Sequence, residues 1–167
     1  MKDNRRKFVL LAGLVILGVL LFRAFGGDEK SKIRRVLEEV TVEASAGDET
    51  QGIQIQTKSI KVSRFMTPSF TAKITLANGQ VHTLPSKQEL VSSMTAAIYL
   101  MKPLIVEVSG LEISVSPGAN SAEATLDVNL RHKSTEPPFE SAHFLLELKK
   151  IDGDWLIDRA EGEISRR

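Results

Sequence analysis

The chain has 167 residues, of which 42% are apolar, 26% charged and 5% aromatic, and it contains no cysteine. That is room for one domain of ordinary globular composition, and the missing thiols exclude disulfides, cysteine zinc sites, a thiol nucleophile and lipid attachment through an N-terminal cysteine. The net charge of +1 is unevenly placed: Lys2, Arg5, Arg6, Lys7 and Arg23 border the first apolar run with only Asp3 against them, and the other 17 basic and 20 acidic residues leave the body at −3. An acidic body with one tryptophan and one tyrosine offers neither the basic footprint nor the stacking platform that nucleic acid needs, so nucleic acid is not expected as a partner.

Phe8 to Phe25 is an eighteen-residue apolar stretch, marked by Phe8, Leu14, Phe22 and Phe25 and interrupted only by Arg23. At about 1.5 Å per residue that is the short end of what crosses ~30 Å of hydrocarbon. It reads as a single-pass anchor in the cytoplasmic membrane, with Arg5-Arg6-Lys7 holding the N-terminus in the cytoplasm. A cleaved signal peptide competes, through the small-x-small site at Ala24-Phe25-Gly26. On either reading the body lies outside the cytoplasm, periplasmic or extracellular. Gly13 and Gly18 are five apart and do not make a GxxxG contact face. The chain is therefore divided into a basic start with anchor, 1–27, and one domain, 28–167.

A polar linker over 26–32 leads to a helix with Ser31 as N-cap, because Ile33, Val36, Leu37 and Val40 repeat on one face, and Gly47-Asp48 ends it. Residues 50–66 stay open between strand and helix: Ile53, Ile55, Ile60, Val62 and Phe65 fit local alternation and also a weaker helical stripe. Residues 70–84 form a hairpin, with Asn78-Gly79 favouring a tight primed turn. Ser86 and Glu89 make a capping box for a helix carrying Leu90, Val91, Met94, Ala97, Ile98 and Met101, stopped by Pro103. Strands follow over 104–118, 121–132 and 139–151, the middle one alternating most regularly. Asp152-Gly153-Asp154 then turns the chain into a last strand with Trp155 and Ile157. Helices first and long strands after give an α+β class, with one curved antiparallel sheet wrapped around two or three helices.

The order of these parts, with "PSKQEL", "LEISV", "AEATLDVNL" and the closing Lys149-Lys150-Ile151-Asp152-Gly153-Asp154-Trp155-Leu156-Ile157, resembles the nuclear transport factor 2-like, or SnoaL-like, superfamily over about residues 31–164. The resemblance implies a cone-shaped domain, a helix rather than a strand at 50–66, and a homodimer through a sheet face. The superfamily holds enzymes such as ketosteroid isomerase and scytalone dehydratase beside non-enzymatic binding and assembly domains. An anchor followed by this domain is also similar in layout to VirB-type assembly factors of type IV secretion.

Residues open to chemistry are few. His143 shares a strand face with Ser141 and Leu145, opposite Phe144 and Leu146, so it points either into the cone or to solvent. Asp127 and Arg131 share a face as cavity lining or as exposed cross-strand charges. Tyr99 is an oxyanion donor or a rim residue. These three, His143, Tyr99 and Asp127, are the catalytic candidates. His82 and His132 flank turns without a second metal ligand, and Asp158 reads as pointing outwards. No phosphate loop or metal motif is present, and neither metal nor cofactor is expected. In the loop 132–141, Pro137-Pro138 stiffens an extended connector suited to docking. The expected function is a membrane-anchored, non-enzymatic binding or assembly domain that engages another protein. The alternative, a cone-fold enzyme or small apolar-ligand binder near the membrane, needs a cavity of ~300 Å³.

Overall fold

A computed structural model of the protein describes residues 28–164. The anchor segment lies outside the described residues, and among those described no helix is long and apolar enough to cross a membrane. The elements are α1 (Glu29–Ala44), α2 (Gly52–Arg64), β1 (Met66–Thr75), β2 (Val81–Leu84), α3 (Lys87–Met101), β3 (Ile105–Val115), β4 (Ser121–Arg131), β5 (Glu140–Ile151) and β6 (Asp154–Ile164).

The first helix starts earlier than its sequence suggests. Asp28 is the N-cap and Ser31 lies inside the helix, so the linker gives up its last four residues. An acidic side chain in the first turn complements the helix dipole, and Glu29 stands there. The expected stripe is in place, with Ile33 and Leu37 buried and Val36 and Val40 packed on the core. The helix stops at Ala44, before Gly47, because Ala46 and Leu104 exchange two backbone hydrogen bonds of 2.8 Å.

The open segment 50–66 is a helix. Gln51 and Gln54 cap each other, and Ile55, Ser59 and Val62 face inwards. The strand-like alternation of Ile53 and Ile55 places them on opposite sides of α2, so Ile53 is left in solvent. β1 begins straight afterwards, four residues before the expected start. In the β1–β2 turn the Asn78-Gly79 pair does not make the primed turn. Positive φ falls on Gly79 (83°), and the turn is closed by Gly79 N–H to Leu76 O and Leu76 N–H to Gln80 O, both 2.8 Å. That is a three-residue loop with a glycine bulge, the other common hairpin solution. Ser86 caps α3 by accepting the Glu89 N–H at 3.3 Å.

All six strands form one sheet in the order β2-β1-β6-β5-β4-β3. It is mixed, not wholly antiparallel, because β1 and β6 run parallel. The meander β3 to β6 brings the last strand back in the direction of β1, which has crossed over through α3. One face of the sheet packs against α1 and α3, giving a core of Phe70, Leu126, Leu146, Leu148, Trp155 and Ile157 among others. A second cluster, Ala46, Ile55, Ile98 and Leu104, ties α2 and α3 to the α1–α2 loop.

The loop 132–139 is folded down rather than extended. Phe139 N–H bonds Leu130 O at 2.9 Å, and Glu136 N–H bonds Lys133 O at 3.1 Å. The His132 ring stacks on Phe139 at 4.5 Å, and its Nδ1–H donates to Pro103 O at 2.8 Å. Arg131 bonds the Glu136 carbonyl from below. The turn falls on residues 133–136, ahead of Pro137-Pro138.

Candidate ligand cavity

Side chains alternate across a strand, so each inner residue meets its neighbours in register. On the inner face Leu126, Phe144 and Gly162 stand abreast, as do Ala124, Leu146, Ala160 and Ala72. A Cβ at Gly162 would run into the Phe144 ring, so glycine there lets the ring lie flat on the sheet. Between this face and the second half of α1 is a cavity of about 250 Å³, reached by Leu37, Val40, Thr41 and Ala44 from the helix and by Val106, Val108, Val128 and Ile74 from the strands. Every lining side chain is apolar except Thr41, and its hydroxyl donates to Leu37 O at 2.7 Å. The volume falls a little short of the ~300 Å³ at the low end for ligand pockets. No carboxylate, imidazole, lysine or phenol lines it.

The catalytic candidates all stand elsewhere. His143 and Asp127 occupy the outer face of the sheet, where His143 Nδ1–H donates to Asp127 Oδ1 at 2.9 Å and both side chains are more than half exposed (59% and 54%). Glu163 is the next residue across. Beside them Ser141 donates to Asn129 Oδ1 at 2.7 Å. Asp127 and Arg131 do not pair with each other; Arg131 Nε meets Glu107 Oε2 at 2.7 Å. Tyr99 lies on the outer side of α3, 65% exposed, with Lys102 Nζ 5.9 Å from its ring centre. His82 is exposed on β2. Among the described residues no group of three His, Cys, Asp or Glu side chains could hold a metal ion.

Two polar centres escaped the sequence reading. Asp158, expected to point outwards, is tucked in with its side chain 12% exposed. Its Oδ1 accepts from Thr67 at 2.6 Å and Ser69 at 2.9 Å, and its Oδ2 from Lys149 at 2.7 Å. The cause is a register shift: between Met66 and Thr71, β1 bulges away from β6 opposite Asp158, so strict alternation fails on both strands. Burial pushes the Asp158 carboxyl up, but the bonds from Lys149, Thr67 and Ser69 outweigh it and hold it below its ordinary value. The second centre is Glu29, which gathers Lys32 (2.9 Å), Lys150 (3.0 Å) and the Trp155 indole N–H (2.6 Å). Bonds from Lys32, Trp155 and Lys150, in that order, lower its carboxyl from 4.5 to about 2. A helix start is thereby fastened to the last hairpin. The sequence placed Glu29 in a polar linker, because Lys150 and Trp155 are 121 and 126 residues away.

No family model and no curated protein matches this sequence. Solved structures do match in shape. A protein of unknown function with a cystatin-like fold from Nostoc punctiforme superimposes with a TM-score of 0.62 at 12% identity, covering 81% of this chain and 90% of its own. A candidate scytalone dehydratase from Novosphingobium aromaticivorans gives 0.61 at 12% identity, covering 83% and 85%. A nuclear transport factor 2-like protein of unknown function from Shewanella baltica gives 0.58 at 11% identity, covering 83% and 95%. The fold is nuclear transport factor 2-like, also called cystatin-like. Identities this low carry shape alone, since one fold of this kind serves many activities.

Proposed function

We propose that the protein is a non-enzymatic binding or assembly domain, held at the outer side of the cytoplasmic membrane by residues 8–25. The observation that carries the non-enzymatic part is the cavity lining. Acid–base or nucleophilic catalysis needs an ionisable or nucleophilic group beside the reacting atom, and the only polar side chain here is Thr41, already bonded to its own helix. The Asp127–His143 pair is open to water on the far face, without walls to exclude solvent from a substrate. The test is crosslinking of the full-length protein in native membranes, followed by detergent extraction and mass spectrometry. A stoichiometric protein partner is the expected result. A chain that stays in the aqueous fraction, with no crosslinked species, would overturn the reading.

The cavity favours a second reading, in which the cone takes a small apolar ligand. Apolar cavities stay dry, and an engineered one of ~150 Å³ holds benzene, so 250 Å³ has room for a two-ring or short-chain hydrocarbon. Saturable binding of naphthalene in a calorimetric titration, weakened by Ala160→Leu, is the expected outcome. A linear, unsaturable response in the wild-type chain would count against it.

A further inference from the structure

The inner stripe of α3, Leu90, Met94 and Ile98, packs on the two core clusters. About 200° round the same helix run Ser92, Ala96 and Leu100, with Tyr99 beside them. Ser92 and Ala96 are exposed, Tyr99 is 65% exposed and Leu100 80%, the most of any large apolar side chain among the described residues. Together they form one wall of a groove whose other wall is Gly52, Ile55 and Gln56 of α2. Thr95 lines the groove too, and among the described residues its hydroxyl is the buried side-chain polar atom left without a hydrogen bond. Thr41 and Thr57 avoid that state by donating to the carbonyl four residues back. An orphaned hydroxyl beside an exposed apolar groove points to an occupant from outside the chain.

The stripe is built in two halves, small side chains at Ser92 and Ala96 and large ones at Tyr99 and Leu100. A two-fold axis sets such a patch on itself in reverse. Two α3 helices laid antiparallel about Ala96 place Leu100 of each copy over Ser92 of the other, and carry each Tyr99 phenol towards the other Thr95. Packed helix axes lie ~8–10 Å apart and each Cα about 2.3 Å from its axis, which leaves roughly 3.5–5.5 Å between the two Ala96 Cα atoms. A side chain as small as alanine fits that gap.

Charge selects the same arrangement. From residue 90 to residue 101 α3 carries no charge, and the charges that flank this stretch, Glu89 and Lys102, have opposite signs. Reversing one helix on the other therefore sets unlike ends together. The nearby Lys58 and Lys61 of α2 turn away from the groove to Glu43 on α1. The outer sheet face suits a second copy less well. There Arg131, Arg159 and Lys149 are taken by Glu107, Glu147 and Asp158. Glu112, Glu123, Glu161 and Glu163 have no ion pair among the described residues, with Lys73 as the one cation left among them. Two such faces pressed together oppose like charges.

We infer that the protein forms a two-fold dimer through the α2–α3 face, with antiparallel α3 helices crossing at Ala96, and not through the sheet. This contact goes beyond the binding role proposed above and does not depend on the membrane location. The chain has no native cysteine, so a single introduced one reports a single contact. Full-length protein in detergent, oxidised with copper phenanthroline, should give a disulfide-linked dimer with Ala96→Cys and stay unlinked with Leu145→Cys on the outer sheet face, because a bridge needs Cα atoms ~4.4–6.8 Å apart. Adding Leu100→Asp to Ala96→Cys buries a carboxylate in the contact and should lower the linked fraction about tenfold or more. Ser92→Asp, on the other half of the stripe, should do the same. Both positions are exposed, so Trp155 emission should not change, and if one variant does disturb it the other is decisive. A monomer by mass would overturn the dimer. A dimer by mass with Ala96→Cys unlinked, equal linking at position 145, or linking that survives a folded aspartate variant would each overturn the α2–α3 face.

Discussion

The two faces of the same strands behave as if they belonged to different proteins. Along β4, Leu126 and Val128 enter the cone while Asp127 and Asn129 face water, and β5 repeats this with Phe144 and Leu146 against His143 and Leu145. The inner face holds apolar packing with no ionisable group in its cavity. The outer face holds the hydrogen-bonded pairs that look most like chemistry. The paired polar groups thus lie where water is freely available, and the cavity is lined by apolar side chains and Thr41. A strand sequence alone reports that the faces differ, not which of them is enclosed.

The largest expected break in that comparison is Leu148→Ala. Leu148 is 1% exposed at the centre of the core, so its loss should cost about 2–5 kcal/mol in urea denaturation. Leu145→Ala, on the same strand but 37% exposed on the outer face, should stay within ~0.5 kcal/mol. Equal effects would mean that the outer face is also buried in the working protein.

Next in size is Glu29→Gln, which weakens three charge-assisted bonds and should cost roughly 1.5–3 kcal/mol at neutral pH. Its folded pKa is depressed, about 2 against an ordinary 4.5. The stabilisation is therefore complete above 4.5 and is lost as pH falls through that value towards about 2. Wild type should lose stability across this window more steeply than the variant. The single tryptophan makes the emission of Trp155 a direct reporter of the same contact.

Asp158→Asn should cost about 1–3 kcal/mol, since it leaves Lys149, Thr67 and Ser69 around a neutral amide. With its folded pKa lowered, this contribution too is present above the ordinary carboxylate value and fades as pH falls below it. Stability measured at pH 7 and again well below the carboxylate range should show the gap between wild type and variant closing. The smallest effect is expected at the exposed pair: Asp127→Asn or His143→Ala should change stability by no more than ~1 kcal/mol.

Much of the fold follows from local pattern. The 3.6-residue stripe of Ile33, Val36, Leu37 and Val40, the Ser86 cap with Pro103 beyond, and the alternation from Ala122 to Leu130 each specify an element through its own neighbours, because burying one face is what forms it. The early start of α1 and the covering of Asp158 were hidden because their partners, Trp155 for Glu29 and Thr67 and Ser69 for Asp158, are far away in the chain. The parallel pairing of β1 with β6 was hidden for the same reason, since hydrophobic alternation looks identical in either direction.

The sequence by itself determined the α+β class, the order of helices and strands outside 50–66, the missing cysteine chemistry and the apolar segment at 8–25. Those depend on composition and short-range periodicity. Only the tertiary structure decided that Phe144, not His143, enters the cavity, that Thr67, Ser69 and Lys149 meet at Asp158, and that the groove between α2 and α3 is lined by uncharged residues. Each of these depends on which side of an element is covered, and that is settled by packing between segments that have no contact until the chain folds.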